Sequence, residues 1–332
     1  MSRLSTEPLA IGIGASALAL GRRRSALSQL LAALGAWGAP RSGRSSDAPV
    51  DTPTDTLAAS ASASASASAS ASASASDDVD APDLMMEIDA ALRYTEQGAL
   101  DALRRALTDA PAATVPAGGA ARATRRAAIV LDDFWGQHAI VRGDFRSMYA
   151  HDLDEVACAY VADVFGAEAS TVSTRWQLRD DGRALFASAL SRSLLDGIGE
   201  VCAAARVEVG SLTLGLPQRL NRVRRALAGR DGLLLVVDET MLHAVTLGGG
   251  RWLAYDAQRV FADAGGVAAP IAEVARHVFE RSVVRQHDDC EVYLCGLAVD
   301  PRQFDPCFER VHPLTDHISG HAPARCLMRF AQ

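Results

Sequence analysis

The chain has 332 residues, of which 49% are hydrophobic, enough to bury one large core or two small ones. Its net charge of -7 and pI near 5.6 provide no overall basic field of the kind that neutralising phosphates needs, so nucleic acid is not an expected partner. Six cysteines, Cys158, Cys202, Cys290, Cys295, Cys307 and Cys326, are scattered without a dense framework, which fits a reducing compartment. Cys290 and Cys295 are too far apart for a Cys-x-x-Cys pair and His287 adds no zinc spacing, so no metal site is expected there. His317 and His321 stand i, i+4, but Pro313, Gly320 and Pro323 argue against a helix and leave them as surface histidines.

The first apolar run, 9–20, is too short to span a bilayer, which takes about 20 residues. Arg22, Arg23 and Arg24 follow it instead of preceding it, which is the wrong order for a signal peptide. The same arginines do precede a second apolar stretch containing Leu30, Leu31, Leu34 and Trp37, and that keeps an exported effector as an alternative. Residues 41–82 change to Ser, Ala, Asp, Pro and Thr, with an unbroken Ala-Ser repeat over 59–76. Neither residue offers enough apolar surface to offset the entropy of ordering the backbone, so a disordered linker is expected.

Leu84, Ile88, Leu92, Leu100, Leu103 and Leu107 recur at helical spacing, predicting a helical segment over 84–107 that Gly98 divides. A flexible Pro/Gly/Arg stretch over 111–126 follows. A strand at 127–132 and a partner at 137–142 read as a hairpin, then a helix at 152–165 with Asp152 as N-cap and Gly166 as its end. Strands at 174–179 and 184–189 flank Asp180-Asp-Gly182, a good hairpin turn. A helix at 191–205, a strand at 207–216 and a helix at 217–228 come next, the last with Leu220, Val223 and Leu227 inward and Arg219, Arg222, Arg224 and Arg225 outward. The second half predicts a meander of 233–237, 241–247 and 251–257 around Gly248-Gly-Gly250, a helix at 270–281 and a short strand at 291–295 ending on Gly296. Beyond Asp300 the prolines predict an irregular tail with 326–330 as a last edge strand.

Strand, hairpin, helix and strand thus recur in both halves, a plan that resembles the ribonuclease-H-like unit of actin-like proteins. The run Ile11-Gly-Ile-Gly-Ala-Ser16 is similar to the Ile-Asp-Ile-Gly-Ser-Ser opening of the PilM family of type IV pilus assembly proteins. Ile129-Val-Leu-Asp-Asp133, the helix to Phe165, the Trp176 strand and the helix from Ser191 also look like PilM-like proteins and their type II secretion counterparts, the GspL-like proteins. The resemblance implies an α/β, actin-like fold of two ribonuclease-H-like subdomains with a disordered Ala/Ser-rich insertion. The divisions are then 1–40 as a candidate first strand and helix of subdomain 1, 41–82 the linker, 83–126 a helical and flexible piece, 127–228 subdomain 1 and 229–332 subdomain 2.

An ATP-binding member of that fold needs two turns whose backbone N–H groups surround the phosphates, with an acidic residue at each to hold Mg²⁺ or water. Four positions, Gly14, Ser16, Asp238 and Gly296, match the nucleotide site. However, Gly12 stands in the first aspartate's place, Glu239 and Thr240 replace the small residues after Asp238, and the adenine-side glycine pair is reduced to Gly296. The resemblance therefore implies a non-catalytic cytoplasmic scaffold with no catalytic residues, metal or bound ATP and Mg²⁺. Its implied partners are the cytoplasmic tail of a membrane-anchored pilus or secretion assembly protein, held in a groove between subdomains, and an assembly ATPase. An ATPase or small-molecule kinase of the same fold is the alternative.

Overall fold

The computed structural model describes residues 8–22, 84–109, 125–179, 182–260, 268–282, 291–296, 300–304, 308–314 and 322–332. All fall within one unit of the chain. The Ala-Ser tract, residues 23–40, the stretch 110–124, Cys290, Cys307, His317 and His321 lie outside the described residues.

Two five-stranded sheets with the same plan organise the unit. The first consists of β1 (Leu9–Ile13), β2 (Ala17–Arg22), β3 (Leu84–Glu87), β4 (Arg125–Leu131) and β8 (Val207–Leu214), in the order β3-β2-β1-β4-β8. The second consists of β9 (Gly232–Val237), β10 (Met241–Gly248), β11 (Arg251–Arg259), β12 (Val292–Gly296) and β13 (Val311–Pro313), in the order β11-β10-β9-β12-β13. In each, an antiparallel meander is followed by two parallel strands. This is the duplicated ribonuclease-H-like plan.

The first meander is not the one expected. The segments 125–131 and 136–142 are both strands, but β4 pairs with β1 and β8, while β5 (Gly136–Arg142) pairs with β7 (Ala184–Ser191). Adjacency in sequence suggested a hairpin, yet β4 is apolar and buried along Ala127–Leu131 and takes a central position that a hairpin arm exposed on one side cannot occupy. The meander's third strand is β3, where helical spacing had suggested a helix from residue 84; the helix α1 begins only at Glu96 and runs to Asp109, with Gly98 inside it instead of dividing it. Gly98 has no room for a side chain, since a Cβ would lie 2.8 Å from Ile88.

Between β4 and β8 the chain builds a third sheet, β5-β7-β6, with β6 at Val172–Arg179. Its one face carries Leu185, Ala187 and Ala189 against Leu153, Ala157 and Val161 of α2 (Ala150–Phe165). Asp152 is not the N-cap of α2: it sits inside the helix and its carboxylate accepts from the Tyr149 N–H at 3.0 Å, while Gly166 ends the helix in the left-handed region at φ 63°. Helix α3 (Arg192–Ala204) is capped by Ser191 and packs with α1 on the first sheet.

Strand alternation explains the cores. Leu9, Ile11 and Ile13 of β1 face α1 and α3, and Ala10 faces the opposite side. In β9, Leu234 and Val236 face α4 (Gly215–Val223), and Leu233, Leu235 and Val237 face α5 (Ala268–Arg281). The α4 helix starts at Gly215 and ends at Val223, shorter than the predicted 217–228, and Arg219 on it is buried instead of outward. Residues 326–330, expected as an edge strand, belong to helix α6 (Pro323–Ala331), which Pro323 opens. Ala324, Leu327, Met328 and Ala331 recur at helical spacing and pack on Ala10, Ala19, Ala128 and Val130. Hence α4 leaves the first sheet to cover the second, and α6 returns from the second half to cover the first. Among the described residues no helix is long and apolar enough to cross a membrane.

Candidate functional site

The turns that the sequence singled out do meet. Gly14 and Ser16 lie in the β1–β2 turn, where Gly14 N–H donates to Ala17 O at 2.8 Å. Asp238 and Glu239 lie in the β9–β10 turn, where Asp238 N–H donates to Met241 O at 2.8 Å. The Ser16 hydroxyl donates to Glu239 Oε1 at 2.6 Å, so the carboxylate that replaces a small residue bonds the opposite turn. Gly296 ends β12 beside Val237, at φ 112° and with no room for a Cβ against the Val237 carbonyl; its requirement for glycine is one of close strand packing. Gly12 faces α6, where a Cβ would lie 2.9 Å from Leu327 Cβ and still closer to the Ala324 carbonyl and the Met328 nitrogen. The space beside Gly12 is therefore filled by helix backbone.

Beside these turns the structure gathers a buried polar cluster that the sequence reading did not anticipate as a site. Asp132 and Asp133 follow β4, His138 is on β5, Arg219 on α4, and His243 on β10; together with Asp238 all are buried. Asp133 Oδ1 lies 2.8 Å from His138 Nε2, and His138 Nδ1 lies 2.8 Å from Ser188 Oγ. Arg219 Nη2 meets Asp238 Oδ1 at 2.6 Å. His243 Nδ1 is 2.8 Å from the Tyr255 hydroxyl, and its Nε2 is 3.5 Å from Asp238 Oδ2 without a hydrogen bond. Thr240 Oγ1 donates to Asp132 Oδ1 at 3.4 Å, a link between the two halves.

Electrostatics follow from burial and crowding. Burial, with Asp238 and Asp133 nearby, pushes the Asp132 carboxyl up to about 7. Burial would raise Asp238 too, but the Arg219 guanidinium and then His243 outweigh it and hold the group below its ordinary range. His243 is the converse: burial opposes its charge, and the surrounding carboxylates raise its pKa nonetheless. Burial, then Asp133 and Asp238, keeps the Tyr255 hydroxyl protonated far above the ordinary tyrosine range. Arg219 was read as part of a solvated face because arginines recur along its helix. A signal for the rest was present: an aspartate follows an apolar strand and a histidine stands five residues later in both halves, Asp133 with His138 and Asp238 with His243.

Two hollows border this region. A cleft of about 360 Å³ is lined by His138, Tyr255, Phe134, Met241 and Arg259. A groove of about 440 Å³ lies between β6 and β8, floored by Trp176, Phe186, Leu190, Leu212 and Leu214. Both β6 and β8 are edge strands of their sheets among the described residues.

The duplicated sheets, the crossed helices and the facing turns define an α/β protein of the actin-like class. No protein-family model and no curated protein matches the chain. Among solved structures it is similar to a chain of the PilM-PilN type IV pilus biogenesis complex, with a TM-score of 0.54 and 13% identity over 98% of this chain and 97% of that one. It is also similar to a Bacteroides thetaiotaomicron protein with actin-like ATPase fold and unknown function, with a TM-score of 0.50 and 7% identity over 75% of this chain and 86% of that one. The chain therefore has the actin-like ATPase fold expected from its sequence.

Proposed function

We propose that this chain is a non-catalytic, cytoplasmic scaffold subunit of a type IV pilus or type II secretion-like assembly, which holds the cytoplasmic tail of a membrane-anchored partner. The observation that carries this reading is the groove between β6 and β8 in a chain whose fold is similar, along nearly its whole length, to one found in a pilus biogenesis complex. Edge strands carry main-chain donors and acceptors that an extended peptide can pair with, and the apolar floor supplies pockets for alternate side chains. An assembly ATPase is the expected second partner.

The absence of catalysis is supported by what fills the nucleotide positions. Helix α6 backbone covers Gly12, the Ser16–Glu239 bond joins the two turns, and Arg219 neutralises Asp238 from within the protein. A triphosphate would have to break that bond and would face the Glu239 carboxylate, whereas phosphoryl transfer requires several placed groups at once. Calorimetry of the full chain with Mg·ATP tests this: no heat of binding at millimolar nucleotide is expected, and measurable affinity abolished in Asp238→Ala would establish the ATPase or kinase reading instead. For the scaffold itself, affinity capture from solubilised host membranes should recover a bitopic pilus or secretion protein with the wild-type chain. Thr213→Arg, which places a long charged side chain in the groove, should lose it. Equal recovery by both, or recovery of soluble metabolic enzymes alone, would contradict the proposal.

A further inference from the structure

Three atoms in the buried cluster have no hydrogen-bond partner: Asp133 Oδ2, Asp238 Oδ2 and His243 Nε2. The same three residues each offer a ligand atom within 4.8 Å of the others. Buried polar atoms are ordinarily satisfied, because leaving one unpaired costs about 1–3 kcal/mol. Asp238 Oδ2 and His243 Nε2 meet only as an ion pair at 3.5 Å and Asp133 Oδ2 has no hydrogen bond, so one occupant among them would satisfy all three. From this convergence we infer that Asp133, Asp238 and His243 form a binding site for one divalent first-row metal ion, Zn²⁺ or Mn²⁺, that needs no nucleotide and ties the two halves of the fold together.

The remaining polar atom of every ligand is already held, which is how metal ligands are oriented by their surroundings. His138 holds Asp133 Oδ1 at 2.8 Å, Arg219 holds Asp238 Oδ1 at 2.6 Å, and the Tyr255 hydroxyl lies 2.8 Å from His243 Nδ1. With Nδ1 bonded to Tyr255, Nε2 is the ring atom that faces Asp238, and an incoming ion would displace the proton there. Two ligand atoms bound at about 2.1 Å to a tetrahedral ion stand about 3.4 Å apart. His243 Nε2 and Asp238 Oδ2 are 3.5 Å apart, so this pair already has that spacing.

Two of the three ligands are buried carboxylates, whose negative charge a divalent ion would offset. Gly215 lies against the third ligand, and a side chain there would crowd it, because a Cβ would stand 2.9 Å from Asp133 Oδ2. His138 and Tyr255, the neighbours of two ligands, line the 360 Å³ cleft, which gives solvent or a fourth ligand an approach. One imidazole and two carboxylates suit Zn²⁺ or Mn²⁺ and leave a coordination position open.

The test uses the full chain, stripped with EDTA and free of nucleotide, titrated with ZnCl₂ and with MnCl₂. One ion per chain is expected, with affinity lowered at least 10-fold in Asp133→Asn and in His243→Gln. The absence of stoichiometric binding, or variants that bind like wild type, would overturn the inference. Should a variant fail to fold, cobalt substitution of the wild-type chain decides: Co²⁺ bound at this site gives visible d–d bands without thiolate charge transfer, bleached by one equivalent of Zn²⁺. A spectrum with thiolate character, or none, places any bound metal elsewhere and refutes the site.

Discussion

Replacing Gly12 by alanine tests the claim that helix α6 closes over the first turn. The new Cβ would stand 2.9 Å from Leu327 Cβ and closer still to the Ala324 carbonyl and the Met328 nitrogen, separations that real Cβ atoms essentially never show. Backbone of a packed helix cannot rotate away as a side-chain tip can, so α6 must lift or slide along Ala10, Ala19, Ala128 and Val130. Overpacking of this kind costs about 1–3 kcal/mol, and partial exposure of Leu327 and Met328 adds to it at about 25 cal/mol per Å² of apolar surface. A loss of about 3 kcal/mol in urea denaturation is expected, with a melting temperature lower by about 5 °C or more. Gly199→Ala is the control: Gly199 is exposed on α3 with nothing within 4 Å of a Cβ, and the change should stabilise by about 0.5–1 kcal/mol through helix propensity alone. If Gly12→Ala is as stable as wild type while Gly199→Ala behaves as stated, α6 does not lie on β1, and the covered-turn argument against nucleotide fails with it.

Two further perturbations probe the buried cluster in metal-free protein. Arg219→Met should destabilise by about 3–5 kcal/mol, because it leaves Asp238 buried without its counter-ion. Adding Asp238→Asn should recover most of that loss in a double-mutant cycle, and additive losses would show that the pair is not coupled. The Asp132 carboxyl, about 7 when folded against an ordinary 3.8, binds a proton that the unfolded chain has released. Its contribution is thus fully present below about pH 4 and lost as pH rises through about 7. Melting temperature in EDTA should therefore fall more between pH 5 and 8 for wild type than for Asp132→Asn, and parallel curves would contradict that assignment.

Most of the second half was legible because its signals are local. The continuous apolar run Leu233–Val237 announces a strand buried on both faces, and Gly249 and Gly250, at φ 60° and 73°, form the turn that their sequence suggested. The first meander was not, since β3 lies beyond the Ala-Ser tract and only its pairing with β2 identifies it. Leu84 and Met86 alternate with Met85 and Glu87 over four residues, too short a run to outweigh the helical spacing that follows. Helix α6 was hidden by the prolines of the tail, although Pro323 is favourable at a helix start.

The site divides along the same line. Gly14, Ser16, Asp238 and Gly296 sit at strand ends, where a family pattern can be matched residue by residue, and the first three do come together at facing turns. What the pattern could not supply was the role of the replacements. Glu239 looked like a stray carboxylate until Ser16 appeared opposite it, and Arg219 looked like one of four surface arginines until Asp238 appeared 2.6 Å from its guanidinium. Long-range partners decide such assignments, and periodicity within one helix carries no information about them.

The scaffold reading is tested most directly by placing a photo-crosslinking residue at Gln177, exposed on the edge strand that borders the groove, and irradiating cells of the native host. The account predicts one dominant adduct, the cytoplasmic tail of a bitopic pilus or secretion protein, which disappears when Thr213→Arg blocks the groove. Adducts to soluble enzymes alone, or a tail adduct unaffected by Thr213→Arg, would contradict it.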